Sequence, residues 1–317
     1  MSKILYKKID NIGLSIFRIV FCFILIFEIF NLFEFRHIIF DKSPFHNIGE
    51  IDINLIFPFW IASVIFLIFG VFSRYSAIIN YLFCVIIFSS AHKFEYHAYF
   101  IYLGVSFLLI IMPISRTLSL DSLLKKIKYS TLHSKYIPDD KVLAVNYFIP
   151  VLMGLGFTYF DSIFWKFQDD IWISGLGMWL PCNIPPVTRI NASFLLNQEF
   201  LVKFLGYLVL IFETVFIFLF WFKSFRVPLL IIGVFFHLGI LIMYPIPLFA
   251  LVGIATYLLM VPLNWWNKLF KLFKFKKPKF IFYYDGECPM CIKIVVIINH
   301  FDVFNTIETK EVQRHYS

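Results

Sequence analysis

A few ionisable side chains interrupt long apolar stretches of the sequence, and they are the residues best suited to do chemistry. Lys166 ends one apolar stretch, His97 opens another, and Glu213 and His237 lie within two more. Charge in such surroundings is costly, so each of these residues needs a partner or a function. Together they offer an amine, two imidazoles and a carboxylate, which is the chemistry of proton transfer.

Structural roles stay open for each of these residues. A terminal Lys such as Lys166 commonly extends its ammonium group to the membrane interface. A lone His in a helical bundle commonly makes a packing hydrogen bond. Glu213 is expected to pair either with Arg18, which also lies in an apolar stretch, or with a backbone donor.

A second chemical signal is the C-x-x-C pair formed by Cys288 and Cys291. The pattern predicts a strand over 280–284, a turn, and a helix that begins near Cys288. A helix N-terminus increases the thiolate character of the first Cys of such a pair. Zinc binding is the alternative, but it would need His300 or His315 to complete the ligand set. We therefore favour redox chemistry for the pair and expect no metal.

The composition indicates what kind of fold must position these groups. Of the 317 residues, 60% are hydrophobic, only 15% are charged, and 43 are Phe. A soluble domain is usually about half apolar and a quarter charged, and a disordered chain lacks this much apolar surface. The five Cys are too few and too scattered for a secreted disulfide framework. The sequence therefore predicts a polytopic membrane protein.

Apolar segments of membrane-crossing length predict about eight transmembrane helices. The fifth segment is interrupted by Pro150, Gly154 and Gly156. A short helix capped by Ser119 or Asp121 is predicted to lie along the inner surface between the fourth and fifth spans. The predicted spans are 12–33, 55–73, 76–91, 97–114, 142–165, 200–222, 228–243 and 246–263.

The charges in the loops predict the orientation of the chain. With the N-terminus in the cytoplasm, the inside segments carry 18 Lys and Arg residues, whereas the outside segments carry five. This asymmetry predicts that both termini are cytoplasmic. Basic loops that face anionic lipid also account for the net charge of +8. Nucleic acid is therefore not an expected partner.

The predicted topology brings three titratable residues, Lys166, His97 and His237, toward the outer surface. They lie on three different spans, so their convergence would form an acid–base site. The outer segment of about 166–199 is rich in Trp and Pro. We expect this segment to cover the outer mouth of the bundle.

Several short motifs occur in an order typical of one membrane family. They are 11–18 in the first span, Tyr96, His97 and Tyr99 at the fourth, Ser119 and Asp121 after it, Tyr159, Phe160, Lys166, Trp172 and Gly175 around the end of the fifth, Glu213, and 235–239. This ordered set resembles the vitamin K-dependent gamma-carboxylase-like membrane domain, known as the HTTM domain. The likeness covers roughly residues 8–263.

The resemblance implies a helical bundle with a reaction site at its outer face. In the family's carboxylases, a Lys matching Lys166 is the proposed base that deprotonates reduced vitamin K. Reaction with oxygen then generates a stronger base, which removes a proton from a glutamate side chain, and the carbanion adds carbon dioxide. His97 and His237 match functional histidines, and the supporting polar residues are Arg18, Glu213, Tyr96 and Asp121.

The resemblance also implies co-substrates and partners. The co-substrates are a reduced vitamin K-type quinone, oxygen and carbon dioxide. The partners are the lipid bilayer, the lipophilic quinone and a protein or peptide substrate. The animal carboxylases carry a large lumenal region that has no counterpart here, which leaves the substrate open. A related reaction on another substrate, or loss of activity, are the alternatives.

The segment after Phe280 resembles the start of a DCC-type thiol-disulfide oxidoreductase domain, which has a thioredoxin-like fold. One predicted strand and one predicted helix bury too little apolar area to fold alone. We therefore expect a truncated segment, or one that another chain completes.

The sequence thus predicts an all-α polytopic membrane bundle of about eight transmembrane helices with a short incomplete thioredoxin-like β-α segment at the C-terminus. The predicted domains are an HTTM-like transmembrane domain (1–267), a basic aromatic linker (268–279) and the C-x-x-C segment (280–317). The leading functional hypothesis is a carboxylase-like membrane lyase. The alternatives are a membrane-anchored thiol-disulfide redox protein that acts through Cys288 and Cys291, and a non-enzymatic HTTM membrane protein.

Overall fold

A computed structural model describes residues 5–41, 53–91, 98–130, 139–184 and 187–313, and the chain is mostly helical within these ranges. The helices are α1 (Ile12–Glu34), α2 (Arg36–Ile39), α3 (Ile53–Phe69), α4 (Ser73–Ser90), α5 (Ala98–Ile111), α6 (Leu120–Tyr129), α7 (Val145–Lys166), α8 (Asp170–Ile173), α9 (Trp179–Cys182), α10 (Ser193–Leu196), α11 (Glu199–Leu219), α12 (Lys223–Met243), α13 (Pro247–Tyr257), α14 (Leu263–Phe273) and α15 (Pro289–Phe301). The strands are β1 (Lys8–Asp10), β2 (Lys141–Leu143), β3 (Phe280–Tyr284) and β4 (Ile307–Glu311).

Helix length decides how many of these elements can cross a membrane. Within the described ranges, five helices are long and apolar enough: α1, α4, α7, α11 and α12. A sixth crossing would require α13 and α14 to act together, although the chain bends by 98° between them. Helices α3 and α5 are apolar but have only 17 and 14 residues. Each predicted span corresponds to a helix, but length and composition support about five crossings, so eight stays a prediction.

Helix α1 forms the centre of the bundle. Its Phe17, Phe21 and Leu25 are fully buried, whereas Phe23 and Phe27 are exposed on the opposite side of the same helix. Both sides are apolar because an outward face of a membrane helix contacts lipid rather than water. Helix α1 packs against α3 and α13, and the Phe21 ring lies 5.9 Å from the Tyr102 ring on α5.

Helix α7 contains a π-helical turn at Leu152–Gly156 between two α-helical parts, Val145–Val151 and Phe157–Lys166. The predicted interruption at Pro150, Gly154 and Gly156 is therefore a local change of winding within one continuous helix. A Cβ atom at Gly154 would lie 3.2 Å from Thr256 Cγ2, so the glycine permits close packing against α13. Because a π turn inserts an extra residue, it changes which face the following residues present.

The C-terminal segment folds as a β-α-β unit. Strands β3 and β4 pair in parallel, from Phe280 opposite Ile307 to Tyr284 opposite Glu311, and α15 connects them. The sequence interpretation missed β4 because its residues are largely charged and polar and show no apolar strand pattern. Helix α15 contacts α6, where Lys126 Nζ lies 3.4 Å from His300 Nδ1. The thioredoxin-like assignment itself stays a prediction.

Candidate functional site

Lys166 and Glu213 form a close ion pair inside the bundle. Lys166 Nζ lies 2.6 Å from Glu213 Oε1 and 2.5 Å from Oε2. The Lys166 side chain is 16% exposed and the Glu213 side chain 3%, so the pair is largely removed from solvent. Glu213 lies on the buried face of α11, and Lys166 is the last residue of α7. Each charge is thus neutralised by the other, as buried charges require.

The loop after α7 covers the Lys166 side of the pair. Lys166 Nζ lies 4.6 Å from the centre of the Trp172 ring, a cation–π distance. The Asp169 carboxylate accepts a hydrogen bond from the Ile171 backbone at 2.9 Å and starts the short helix α8, which carries Trp172. The aromatic face therefore shields the ammonium group where the helix ends.

Two glycines allow this loop to lie directly on α11. Gly175 has a φ of +82°, which favours glycine. A Cβ atom at Gly206 would lie 2.3 Å from the Gly175 carbonyl oxygen, so any side chain there would displace the loop. The Tyr207 hydroxyl donates a hydrogen bond to the Ile173 carbonyl at 3.0 Å, which fixes the same contact.

An apolar cavity of about 800 Å³ opens beside the ion pair. Its walls come from α11, α12 and the covering loop, and they include Val209, Phe212, Phe235 and Met243. Among the described residues that line it, Lys166 is the only charged one. The volume lies in the range of small-molecule sites. We refer to this space as the apolar cavity.

His237 belongs to a buried hydrogen-bonded cluster next to the cavity. Its Nε2 lies 2.8 Å from the Tyr159 hydroxyl, which lies 2.8 Å from the Tyr257 hydroxyl. Within the described part of the chain, His237 Nδ1 has no hydrogen-bond partner. A Cβ atom at Gly253 would lie 2.2 Å from His237 Cε1, so that glycine makes room for the ring.

The structure brings Lys166 and His237 into one region without direct contact. Phe212 and Phe236 line the apolar cavity, and both rings also pack against Tyr159, at 5.6 and 6.2 Å. Tyr159 lies two turns before Lys166 on α7 and bonds to His237. Tyr159 is therefore the residue that joins the two parts of the site. His97 and Tyr96, the other predicted site residues of this end, lie outside the described residues.

Arg18 lies in a separate cluster and does not contact Glu213. Its guanidinium donates to the carbonyls of Ile114 at 2.6 Å, Leu118 at 2.5 Å and Ile68 at 3.3 Å. Ile68 lies in the last turn of α3, where helical C=O groups lack partners, and Ile114 and Leu118 lie in the connection between α5 and α6. Arg18 therefore ties three chain segments together.

Asp121 has a similar connecting role. Its carboxylate accepts hydrogen bonds from the backbone of Phe72 and Ser73, both at 2.8 Å, and from the Ser73 hydroxyl at 2.7 Å. It thus caps α4, whereas Ser119 caps α6, the helix that contains Asp121. Of the two alternatives expected for the cap of α6, Ser119 is the cap, whereas Asp121 caps α4.

Cys288 and Cys291 lie at the start of α15, with free thiols. Cys288 Sγ accepts a hydrogen bond from the Cys291 backbone N–H at 3.4 Å. Hydrogen bonds from the Cys291 thiol and backbone lower the pKa of Cys288, and the same thiol contact raises the pKa of Cys291. The first thiol is therefore the more readily ionised one.

The sequence interpretation missed two features of the site. It did not pair Glu213 with Lys166, because nothing in two segments 47 residues apart specifies their contact. It did not include Tyr257, whose only sequence signal is a Tyr in an apolar helix. Across the described ranges, no group of three His, Cys, Asp or Glu residues is arranged to hold a metal ion.

Comparison with known proteins identifies one family. The model of the HTTM domain matches residues 6–265 of the chain. No curated protein and no solved structure matches it.

Proposed function

The chain belongs to the HTTM domain family, and we propose that it is an integral membrane enzyme in which Lys166 acts as a base toward a lipophilic hydroquinone. The reaction is of the vitamin K-dependent carboxylase type, with oxygen and carbon dioxide as co-substrates. The observation that carries the proposal is the Lys166–Glu213 pair, whose lysine lines the apolar cavity.

The apolar cavity suits a lipophilic ring. Its walls are apolar except where Lys166 reaches it, and a volume of about 800 Å³ accommodates a bicyclic quinone with part of its tail. A lipophilic molecule also partitions into the bilayer that surrounds α11 and α12. A bound ring would therefore find one proton acceptor among apolar contacts.

The ion pair positions the Lys166 amine for proton transfer, because both carboxylate oxygens of Glu213 lie within hydrogen-bond distance of Nζ. Transfer of a proton from Lys166 to Glu213, across 2.6 Å or less, would leave a neutral amine and a neutral carboxylic acid. The neutral amine can then take a proton from a hydroxyl group in the cavity, and the resulting oxyanion balances the charge of the Lys166 ammonium group.

Other residues of the site control water and position. Trp172 covers the amine from the loop side, and Tyr159, on the same helix as Lys166, is hydrogen-bonded to His237 and Tyr257. The oxidation of a bound hydroquinone by oxygen would supply the energy for removing a weakly acidic C–H proton. Carbon dioxide would then add to the carbanion. The chain itself supplies the first proton acceptor and a cavity that excludes water.

The test is quinol-dependent oxygen uptake by the protein in lipid nanodiscs that contain reduced vitamin K. We expect Lys166→Met to abolish the uptake. Lys203→Met is the matched control, because Lys203 forms an exposed pair with Glu199 on α11 and does not line the cavity. Uptake by Lys166→Met at the wild-type rate would contradict the proposal.

The charge asymmetry of the loops supports an orientation in which both termini are cytoplasmic and the Lys166 end of α7 faces outward. Lys166 lies about 28 Å along α7 from Tyr147, whose hydroxyl donates to the Asp10 carbonyl beside the basic N-terminal segment. Labelling of single Cys substitutions at Lys8 and Ser174 with an impermeant reagent tests this orientation. We expect only the second to react from outside.

A second candidate function is thiol-disulfide exchange by Cys288 and Cys291. The observation that favours it is the lowered pKa of Cys288 at the start of α15, next to a resolving thiol three residues away. Disulfide formation between the two residues in a defined redox buffer tests this function. Failure of the pair to oxidise under any buffer composition would contradict it.

A further inference from the structure

A polar pocket of about 390 Å³ lies beside the apolar cavity, within the loop that covers the bundle. Its polar lining residues are Asn183, Thr188, Arg189, Asn191, Ser193 and Asn197. Among the described residues that line this polar pocket, Arg189 is the only charged one. Its volume is at the lower end of small-molecule sites.

The apolar cavity and the polar pocket are lined by neighbouring residues of the same loop. At three places in the loop, one residue lines the apolar cavity and its neighbour in sequence lines the polar pocket. These neighbours are Pro181 and Cys182, Val187 and Thr188, and Leu195 and Leu196. Cys182 Sγ also lies 3.1 Å from the hydroxyl of Tyr244, which lines the apolar cavity.

Arg189 is held in place by backbone contacts and keeps free donors. Its backbone N–H donates to the Met243 carbonyl at 2.8 Å, and its Nη1 donates to the Leu241 carbonyl at 3.2 Å. Both carbonyls lie at the end of α12, so the guanidinium is anchored to a helix that also forms the cavity. A guanidinium has five N–H donors, and one side-chain bond leaves the others for a ligand.

The charge of the pocket selects an anion. Arg189 has no acidic partner among the described residues, whereas Lys203 on α11 is paired with Glu199 at 2.6 Å. Guanidinium groups bind carboxylates through paired hydrogen bonds, and the amide groups of three Asn residues add neutral donors. The small volume favours a free organic acid over a folded protein surface.

We propose that the polar pocket binds the carboxylate of a small water-soluble organic acid. The binding site stands on its own geometry and does not depend on the reaction proposed for the apolar cavity.

Calorimetric titration of the protein in zwitterionic nanodiscs tests the proposal, with glutarate as the probe. We expect glutarate to bind and its neutral analogue glutaramide not to bind. Arg189→Gln should weaken glutarate binding about tenfold or more, because a charged hydrogen-bonded contact is lost. Lys203→Gln, which removes a cation outside the pocket, should leave the affinity unchanged.

One further variant and one further probe complete the test. Asn197→Trp fills the pocket and leaves the Arg189–Leu241 contact in place, so it should also abolish glutarate binding. This variant replaces Arg189→Gln in the test if Arg189→Gln does not fold. A short peptide with one glutamate side chain tests the other source of a carboxylate. Binding of the peptide without binding of glutarate would overturn the assignment to a small acid.

The binding experiment separates this proposal from the proposed function. Lys166→Met should bind glutarate as the wild type does, because Lys166 lines only the apolar cavity. Glutarate binding without quinol-dependent oxygen uptake would support the carboxylate site and contradict the proposed reaction. Absence of glutarate binding, or equal affinity for glutarate in Arg189→Gln, would contradict the proposal that the polar pocket binds a carboxylate.

Discussion

Lys166 contacts both carboxylate oxygens of Glu213, at 2.6 and 2.5 Å, although the two residues lie 47 positions apart on different helices. Neither charge is stable alone in this place, because the Glu213 side chain is almost completely buried and the Lys166 side chain is mostly so. The pair thus links the stability of the α7–α11 contact to the chemistry of the apolar cavity.

The ion pair should therefore behave as a unit in a double-mutant cycle. Glu213→Leu and Lys166→Met each leave one buried charge without its partner, and each should destabilise the protein by about 3 kcal/mol. The double variant Lys166→Met with Glu213→Leu should lie closer to the wild type than either single variant. Thermal unfolding in nanodiscs measures these differences, and strictly additive losses would mean that the residues do not interact.

The absence of a side chain at Gly253 should be required for the position of the His237 ring. In Gly253→Ala the new methyl group would overlap the imidazole ring, so the ring must move away from Tyr159. We expect a loss of about 1–3 kcal/mol in unfolding free energy. Gly239→Ala is the matched control on α12, because a Cβ atom there meets nothing within 4 Å. Equal stability of the two variants would refute the close contact at Gly253.

The apolar cavity should be the place where the lipophilic co-substrate binds. Ile232 lines the cavity and is partly exposed, so Ile232→Trp can fill the space without disturbing the core. We expect reduced vitamin K to bind at least about tenfold more weakly to this variant, because the space that the ring would occupy is lost.

The control for this experiment is Phe222→Trp, which enlarges an exposed aromatic residue that does not line the cavity. Both variants should unfold at the temperature of the wild type. A quinol affinity that is insensitive to Ile232→Trp would place the binding site elsewhere.

The two thiols of the C-x-x-C pair should titrate in a fixed order. Since the pKa of Cys288 is lowered and that of Cys291 is raised, the thiolate of Cys288 should appear at lower pH. The rate of alkylation, followed by mass spectrometry from neutral to alkaline pH, should rise first at Cys288. Cys22 and Cys84 are buried and serve as unreactive internal controls.

Removal of one thiol extends this prediction. The main cause of the raised pKa of Cys291 is its hydrogen bond with the Cys288 thiol. Cys288→Ser should therefore shift the alkylation profile of Cys291 toward lower pH. Identical profiles for the two thiols in the wild type would show that the helix start does not distinguish them.

The sequence was sufficient to predict a helical membrane protein and to single out several ionisable residues, whose role in a functional site stays a prediction. Lys166, Glu213 and His237 stood out because an ionisable group in an apolar stretch is costly and therefore conspicuous. The family match over residues 6–265 agrees with the resemblance that the ordered motifs carried. An ionisable residue in an apolar stretch and a short motif are both local features of the sequence, so they can be recognised without knowing the fold.

Contacts between distant residues could not be predicted in the same way. The partner of Glu213 depends on how α7 and α11 pack, and the π turn in α7 changes the face on which Tyr159 and Lys166 lie. Strand β4 was missed because it is stabilised by parallel pairing with β3 rather than by an apolar pattern of its own. The polar pocket arises from loop folding, which motif spacing does not describe.

The structure of the protein with reduced vitamin K bound in nanodiscs tests the central claim most directly. We expect the ring to lie in the apolar cavity between α11 and α12, with one hydroxyl oxygen about 3 Å from Lys166 Nζ, the distance of a hydrogen bond. A ring bound outside the cavity, or one whose oxygens do not approach Lys166, would contradict the assignment of Lys166 as the base.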